Sequence, residues 1–157
     1  IKVEPQSGFG GEPVGNVEVE YVGGLRGVNV GAGEVPNLID EIPILALLAT
    51  SAIGTTIFEN VSELRVKESN RLEAIVEGLN ALGCHATEKG DDLLIEGGVP
   101  VNDVVLPSRG DHRLAMTWAI ANRCFGLDGG VDGMECTDVS FPGFEEELER
   151  LQQGGDR

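Results

Sequence analysis

Arg65, Lys67, Glu68 and Arg71 fall within seven consecutive residues, and Arg109, Asp111, His112 and Arg113 form a second charged segment further on. Five of the eleven Lys and Arg residues thus occupy two short stretches of a chain that is otherwise acidic. Arg and Lys at such density grip carboxylate or phosphate groups through charge-assisted hydrogen bonds. A carboxylate beside them can give or take a proton at the atoms that change. Asp40, Glu68 and Asp111 supply the carboxylates. Either basic segment alone is explained as well by ion pairs with neighbouring Asp and Glu. Both precede a predicted helix, where free N–H groups already attract an anion. Two such segments at comparable points of the chain favour an anion site, although spacing alone selects no reaction.

Other chemistries are poorly supplied. There is no GxSxG, no Walker loop and no GxGxxG, and Gly8-Phe9-Gly10-Gly11 fits none of them. His85 and His112 are the only histidines, too few for a zinc site, and His85 reads as structural or solvated. Cys84, Cys124 and Cys136 are odd in number and lack a CxxC pair. They read as small buried hydrophobes in a reducing, cytoplasmic setting, with no metal and no cofactor. A formal charge of -16, from 27 acidic and 11 basic residues, argues against nucleic acid and against anionic membranes. No apolar run approaches the ~20 residues of a membrane span. Hydrophobic residues at 41% nevertheless predict a folded core. Ile1-Lys2-Val3-Glu4 reads as a strand already under way, so the chain is expected to start inside a domain.

The elements that must hold these residues follow from period. Val17–Val22 alternates as a strand does, and Leu25–Val30 predicts another after a Gly-Gly turn. Asp40 is placed to cap a helix with Pro43 in its first turn, and Ile44–Ala49, apolar throughout, predicts burial on all sides. Gly54 is a stop, and Thr55–Phe58 a β-branched strand. Asn70 with Glu73 resembles a capping box before a helix striped by Leu72, Ile75, Val76, Leu79 and Leu82. Gly83 ends that helix, and strands His85–Glu88 and Leu93–Glu96 flank the turn at Gly90-Asp91-Asp92. Asp111 caps a second apolar helix through Leu114–Ala121. A strand near Val131–Glu135 and a final helix striped by Phe144, Leu148 and Leu151 complete the pattern. Asp40 to Asp111 is 71 residues, and Leu72 to Phe144 and Leu79 to Leu151 are each 72. A shared period near 70 predicts an internal duplication of strand–helix–strand–helix–strand.

Leu38–Pro43, Leu64–Arg71 (LRVKESNR) and Gly110–Met116 (GDHRLAM), with the ending Val139–Phe144 (VSFPGF), closely resemble the 5-enolpyruvylshikimate-3-phosphate synthase family. The matches keep the family's order and cover nearly the whole chain. The resemblance implies an α/β fold of repeated βαβαββ units, three to a domain, with buried helices covered by mixed sheets. It further implies that residues 1–157 form part of a C-terminal domain, about two of its three units, divided near 1–83 and 84–157. The N-terminal domain would be a missing partner. The implied reaction transfers the enolpyruvyl group of phosphoenolpyruvate to the 5-hydroxyl of shikimate 3-phosphate, releasing phosphate on the route to chorismate and aromatic amino acids. Glyphosate is the implied competitor for the phosphoenolpyruvate site.

By the same resemblance, Asp40 accepts the proton of the attacking hydroxyl and binds the shikimate ring, and Lys67 contacts the shikimate-phosphate side. Glu68 resembles the acid that protonates the methylene carbon. Arg71 and Arg113 resemble the pair that grips carboxylate and phosphate, with His112 lining the site. Asn70 stands where an Asp is common, Glu63 where some members have Asn, and Val139 where some have Lys. The related UDP-N-acetylglucosamine enolpyruvyl transferase is the alternative, disfavoured by Arg65–Ser69; a non-catalytic anion-binding fragment of the same fold is another. As two units of three, the chain is expected to be inactive alone and to expose an apolar flank around Leu45 and Trp118.

Overall fold

The computed structural model describes residues 1–9, 12–20 and 23–154. It begins with an exposed antiparallel hairpin, β1 (Lys2–Phe9) and β2 (Glu12–Glu18). The strand expected at Val17–Val22 ends at Glu18, and Tyr21 and Val22 lie outside the described residues, as do Gly10 and Gly11. The single strand expected over Leu25–Val30 is two short ones, β3 (Leu25–Arg26) and β4 (Asn29–Val30). The chain crosses between them at Gly27, where a Cβ would lie 2.2 Å from the Thr55 carbonyl oxygen.

Helix α1 (Ile42–Thr50) begins with Pro43 in its first turn, where proline costs no hydrogen bond. Its N-cap is Glu41 and not Asp40, and no side chain caps it. The helix is not buried on all sides either. Ala46 and Leu47 face the core while Leu48 is 53% exposed. It ends at Thr50, before Gly54, and β5 (Ala52–Ile53) and β6 (Thr55–Phe58) follow. Strand β3 pairs with β5, and β4 with β6, both in parallel. Parallel neighbours need a long crossover, which α1 provides.

A 3-10 helix (Ser62–Val66) leads into α2 (Arg71–Ala81). The Asn70 side chain accepts a hydrogen bond from the Glu73 N–H, as the capping pattern requires. Leu72, Ile75, Leu79 and Leu82 are all fully buried. The antiparallel strands β7 (His85–Lys89) and β8 (Asp92–Glu96) complete a four-stranded sheet ordered β4-β6-β8-β7. In β8, Leu93 and Ile95 point inward and their neighbours outward, the two-residue period of a half-buried strand.

The order strand, helix, parallel strand, 3-10 helix, helix then recurs. Strand β9 (Leu106–Pro107) pairs in parallel with β10 (Val131–Asp132) across α3 (His112–Phe125). The segment expected as a strand through Glu135 turns instead into a 3-10 helix over Met134–Val139, ahead of α4 (Phe144–Gly154). One core joins α1, α2, α3 and the sheet. Trp118, 1% exposed, lies against α2 at Gly78, so the apolar flank does not reach it. That flank runs instead along α1, where Leu25, Val28, Leu45 and Leu48 line an open groove of about 310 Å³. Of the cysteines expected to be buried, only Cys84 is; Cys124 is exposed and Cys136 half-buried.

Candidate active site

The guanidinium of Arg71, the first residue of α2, is the hub. Its side chain is 0% exposed. Nε donates to Asp111 Oδ2 at 2.8 Å and Nη1 to Asp40 Oδ1 at 3.1 Å. Nη2 donates to Glu68 Oε2 and, at 3.3 Å, to Asp111 Oδ1. An unpaired cation could not be buried so deeply; three carboxylates make it affordable. Burial opposes its charge, and the hydrogen bond and charge of Asp111, with Glu68 and Asp40, outweigh that and raise its pKa above the usual arginine value.

Asp111 does two jobs. As N-cap of α3 its Oδ1 accepts from the Arg113 N–H at 3.0 Å, while Oδ2 holds Arg71 Nε and accepts from Ser69 Oγ at 3.3 Å. The sequence revealed the cap, but not the ion pair across 40 residues. The start of α3 is therefore locked to the start of α2.

Asp40, just ahead of α1, faces all three cations. Besides Arg71, it lies 3.6 Å from Lys67 Nζ and 3.5 Å from Arg113 Nη2, and its carbonyl accepts from Arg113 Nη1 at 3.1 Å. Burial pushes its carboxyl up, but Arg113, the Arg71 hydrogen bond and Lys67 prevail and hold it below the ordinary carboxylate value. Those bonds explain why Asp40 does not cap α1. Lys67 also pairs with Glu63 at 2.6 Å, and Arg113 with Glu41 at 3.6 Å. His112, expected in the site, is the first residue of α3, next to Arg113 in the chain, and is half-buried.

The structure thus gathers Asp40, Lys67, Glu68, Arg71 and Arg113 at the starts of three helices, together with Asp111. Two cations of the basic segments stand apart. Arg65 ties the 3-10 helix to the β7–β8 turn, with Glu88 at 2.7 Å and the Gly90 carbonyl at 3.0 Å. Arg109 pairs with Glu73 and Glu77 on α2. Ion pairing is the sufficient account of both. Arg71, expected to grip a ligand, is enclosed by the protein's own acids; the half-exposed carboxylates of Asp40 and Glu68 lie over its Nη groups.

Cations and carboxylates meet at the starts of α1 and α3, each a parallel strand–helix–strand crossover, and of α2, in a domain of the mixed α/β class. Residues 10–148 match the family described as EPSP synthase (3-phosphoshikimate 1-carboxyvinyltransferase), and the chain belongs to that family. The 3-phosphoshikimate 1-carboxyvinyltransferase of Roseiflexus castenholzii is 44% identical over 98% of this chain, and that of Desulforamulus reducens 42% over 90%. An EPSP synthase structure from Acinetobacter baumannii superposes with a TM-score of 0.86 at 33% identity over 95% of the chain. The chain spans about a third of the length of these relatives (35%, 33% and 35%).

Proposed function

We propose that this chain is the part of a C-terminal domain that carries the acid–base half of an enolpyruvyl transfer site. The substrates are phosphoenolpyruvate and shikimate 3-phosphate, and the whole enzyme works in the cytoplasm. The chain is read as two units of a three-unit domain, divided near residue 83. The observation that carries this reading is that Asp40 and Glu68, both half-exposed, bond to one buried arginine with Lys67 and Arg113 alongside.

In the proposed mechanism a substrate carboxylate takes the place of Glu68 on Nη2 of Arg71, with Arg113 as second clamp. Lys67 and His112 line the shared site. Glu68, released from Arg71, takes up a proton from solvent and passes it to the methylene carbon of phosphoenolpyruvate. Asp40, kept ionised by its three cations, accepts the proton of the attacking hydroxyl. The resulting C–O bond gives a tetrahedral centre, from which phosphate leaves with the C–O bonding pair as the carbon proton is lost. Glyphosate is read as competing for the same cations.

The set Asp40, Glu41, Glu63, Glu68 and Asp111 against Lys67, Arg71 and Arg113 sums to 3 − 5 = −2. Two phosphorylated substrates therefore require further cations from the rest of a longer protein. The chain alone is expected to bind anions weakly and to catalyse nothing. A chimera carrying this chain in place of the equivalent third of the Roseiflexus castenholzii enzyme tests the reading. It should release phosphate from the two substrates. Glu68→Gln should lower kcat with little change in KM, because the amide keeps the shape but delivers no proton. Arg113→Ala should weaken phosphoenolpyruvate far more than shikimate 3-phosphate, by about 2–5 kcal/mol. An equal loss for both substrates, or full turnover with Gln at 68, would refute these roles.

A further inference from the structure

We propose that Glu63 is a built-in competitor that occupies Lys67 in the empty site and sets how tightly the site takes a phosphate-bearing ligand. The inference rests on the site proposed above and on Lys67 contacting its shikimate-phosphate side, as the family resemblance implies. Lys67 Nζ lies 2.6 Å from Glu63 Oε1, against 3.6 Å from Asp40 Oδ1. Asp40 is divided among three cations, so Glu63 is the closer and less shared partner. Its hydrogen bond is the largest of the influences on Lys67, and it prevails over burial to raise the ammonium pKa above the usual lysine value.

Geometry makes the pair both preset and replaceable. Glu63 lies on the 3-10 helix Ser62–Val66 and Lys67 is its C-cap, so one short turn fixes both. Leu64, 0% exposed, pins that turn to the core. The Glu63 side chain is 56% exposed and that of Lys67 21%. The carboxylate can therefore swing into water while the ammonium stays at the site. Glu63 does not bond to Arg71, whose partners are Asp40, Glu68 and Asp111, so its departure leaves the buried hub intact. A ligand phosphate arriving at Lys67 meets a carboxylate already in its place and must displace it. Of the five acids around the three cations, Glu63 is the one that pairs with neither Arg71 nor Arg113.

The test titrates inorganic phosphate into the chain by calorimetry, using wild type, Glu63→Gln, Lys67→Met and the double variant. An exposed ion pair couples by about 0.2–1 kcal/mol, so Glu63→Gln should bind phosphate up to about fivefold more tightly. The gain should vanish in the Lys67→Met background, because the competitor acts only through that ammonium. A gain that persists without Lys67 would reduce the effect to bulk charge and overturn the inference. Equal affinity of wild type and Glu63→Gln, with Lys67→Met weakening both, would overturn it while leaving the anion site standing. Phosphate binding indifferent to Lys67 would remove the site reading as well.

Discussion

Arg71 shows how a functional cation and a structural one can be the same group. Its burial is tolerable because Asp111, itself fully buried, lies beneath it with Asp40 and Glu68 alongside, and breaking such a buried pair costs about 3–5 kcal/mol. Urea unfolding of Arg71→Met should show a loss of that size. Asp111→Asn, which can keep the cap through its remaining oxygen but loses both the charge and an acceptor for Arg71, should also destabilise. The double variant should lose less than the two singles together; strict additivity would mean that the pair is not coupled. Asp40 gives a pH test. Its folded carboxyl is held below the ordinary value of 3.8, so its stabilisation is complete above 3.8 and is lost as pH falls through the lower folded value. Asp40→Asn should therefore be less stable than wild type at pH near 6, by urea midpoint, and the gap should close under strong acid. A gap that widens in acid would contradict the assigned ion pairs.

At the scale of elements, the best test is the contact between α2 and α3. A Cβ on Gly78 would lie 2.4 Å from Trp118 Cζ2. Alanine gains about 1 kcal/mol in helix propensity over glycine, but overpacking a fixed indole costs about 1–3 kcal/mol. Gly78→Ala should therefore lower the melting temperature; a rise would mean that the helices can slide apart freely. Elements of this kind were legible in the sequence wherever one local rule decided them. The stripe of α2, its Asn70 cap and the β7–β8 hairpin are such cases, set by period and turn residues. What local rules could not supply was partnership across the chain. Asp40 satisfies the pattern of a helix cap, yet cations from α2 and α3 claim its oxygens, and Glu41 takes the cap position. Leu25–Val30 reads as one strand, but its halves pair with different partners and the break at Gly27 follows from Thr55, far along the sequence. Residue type picks out the charged segments and the family resemblance supplies their roles, while the enclosure of Arg71 needed three dimensions.

Over the whole molecule, apolar surface is the unbalanced quantity. Leu25, Val28 and Leu48 are exposed beside the α1 groove, and a second groove of about 350 Å³ opens between Leu48, Cys124 and Phe125. Contiguous exposed apolar surface favours association. Sedimentation should show concentration-dependent association of the isolated chain, reduced by Leu48→Lys; a monomer at every concentration would remove the exposed flank as its cause. No helix among the described residues is long and apolar enough to cross a membrane.

The three thiols amount to a clock already installed in the fold. Cys84 is buried behind α2, and burial pushes its thiol up to about 11 against a compensating hydrogen bond with Thr50. Only the thiolate reacts with disulfide reagents, so Cys84 is silent until the core around it opens. Cys124, exposed at the end of α3, has no such shelter. With dithiobis-nitrobenzoate at neutral pH, Cys124 should therefore be consumed first and Cys84 last. The slow phase, read from the thionitrobenzoate released, would time the opening of the α2 core.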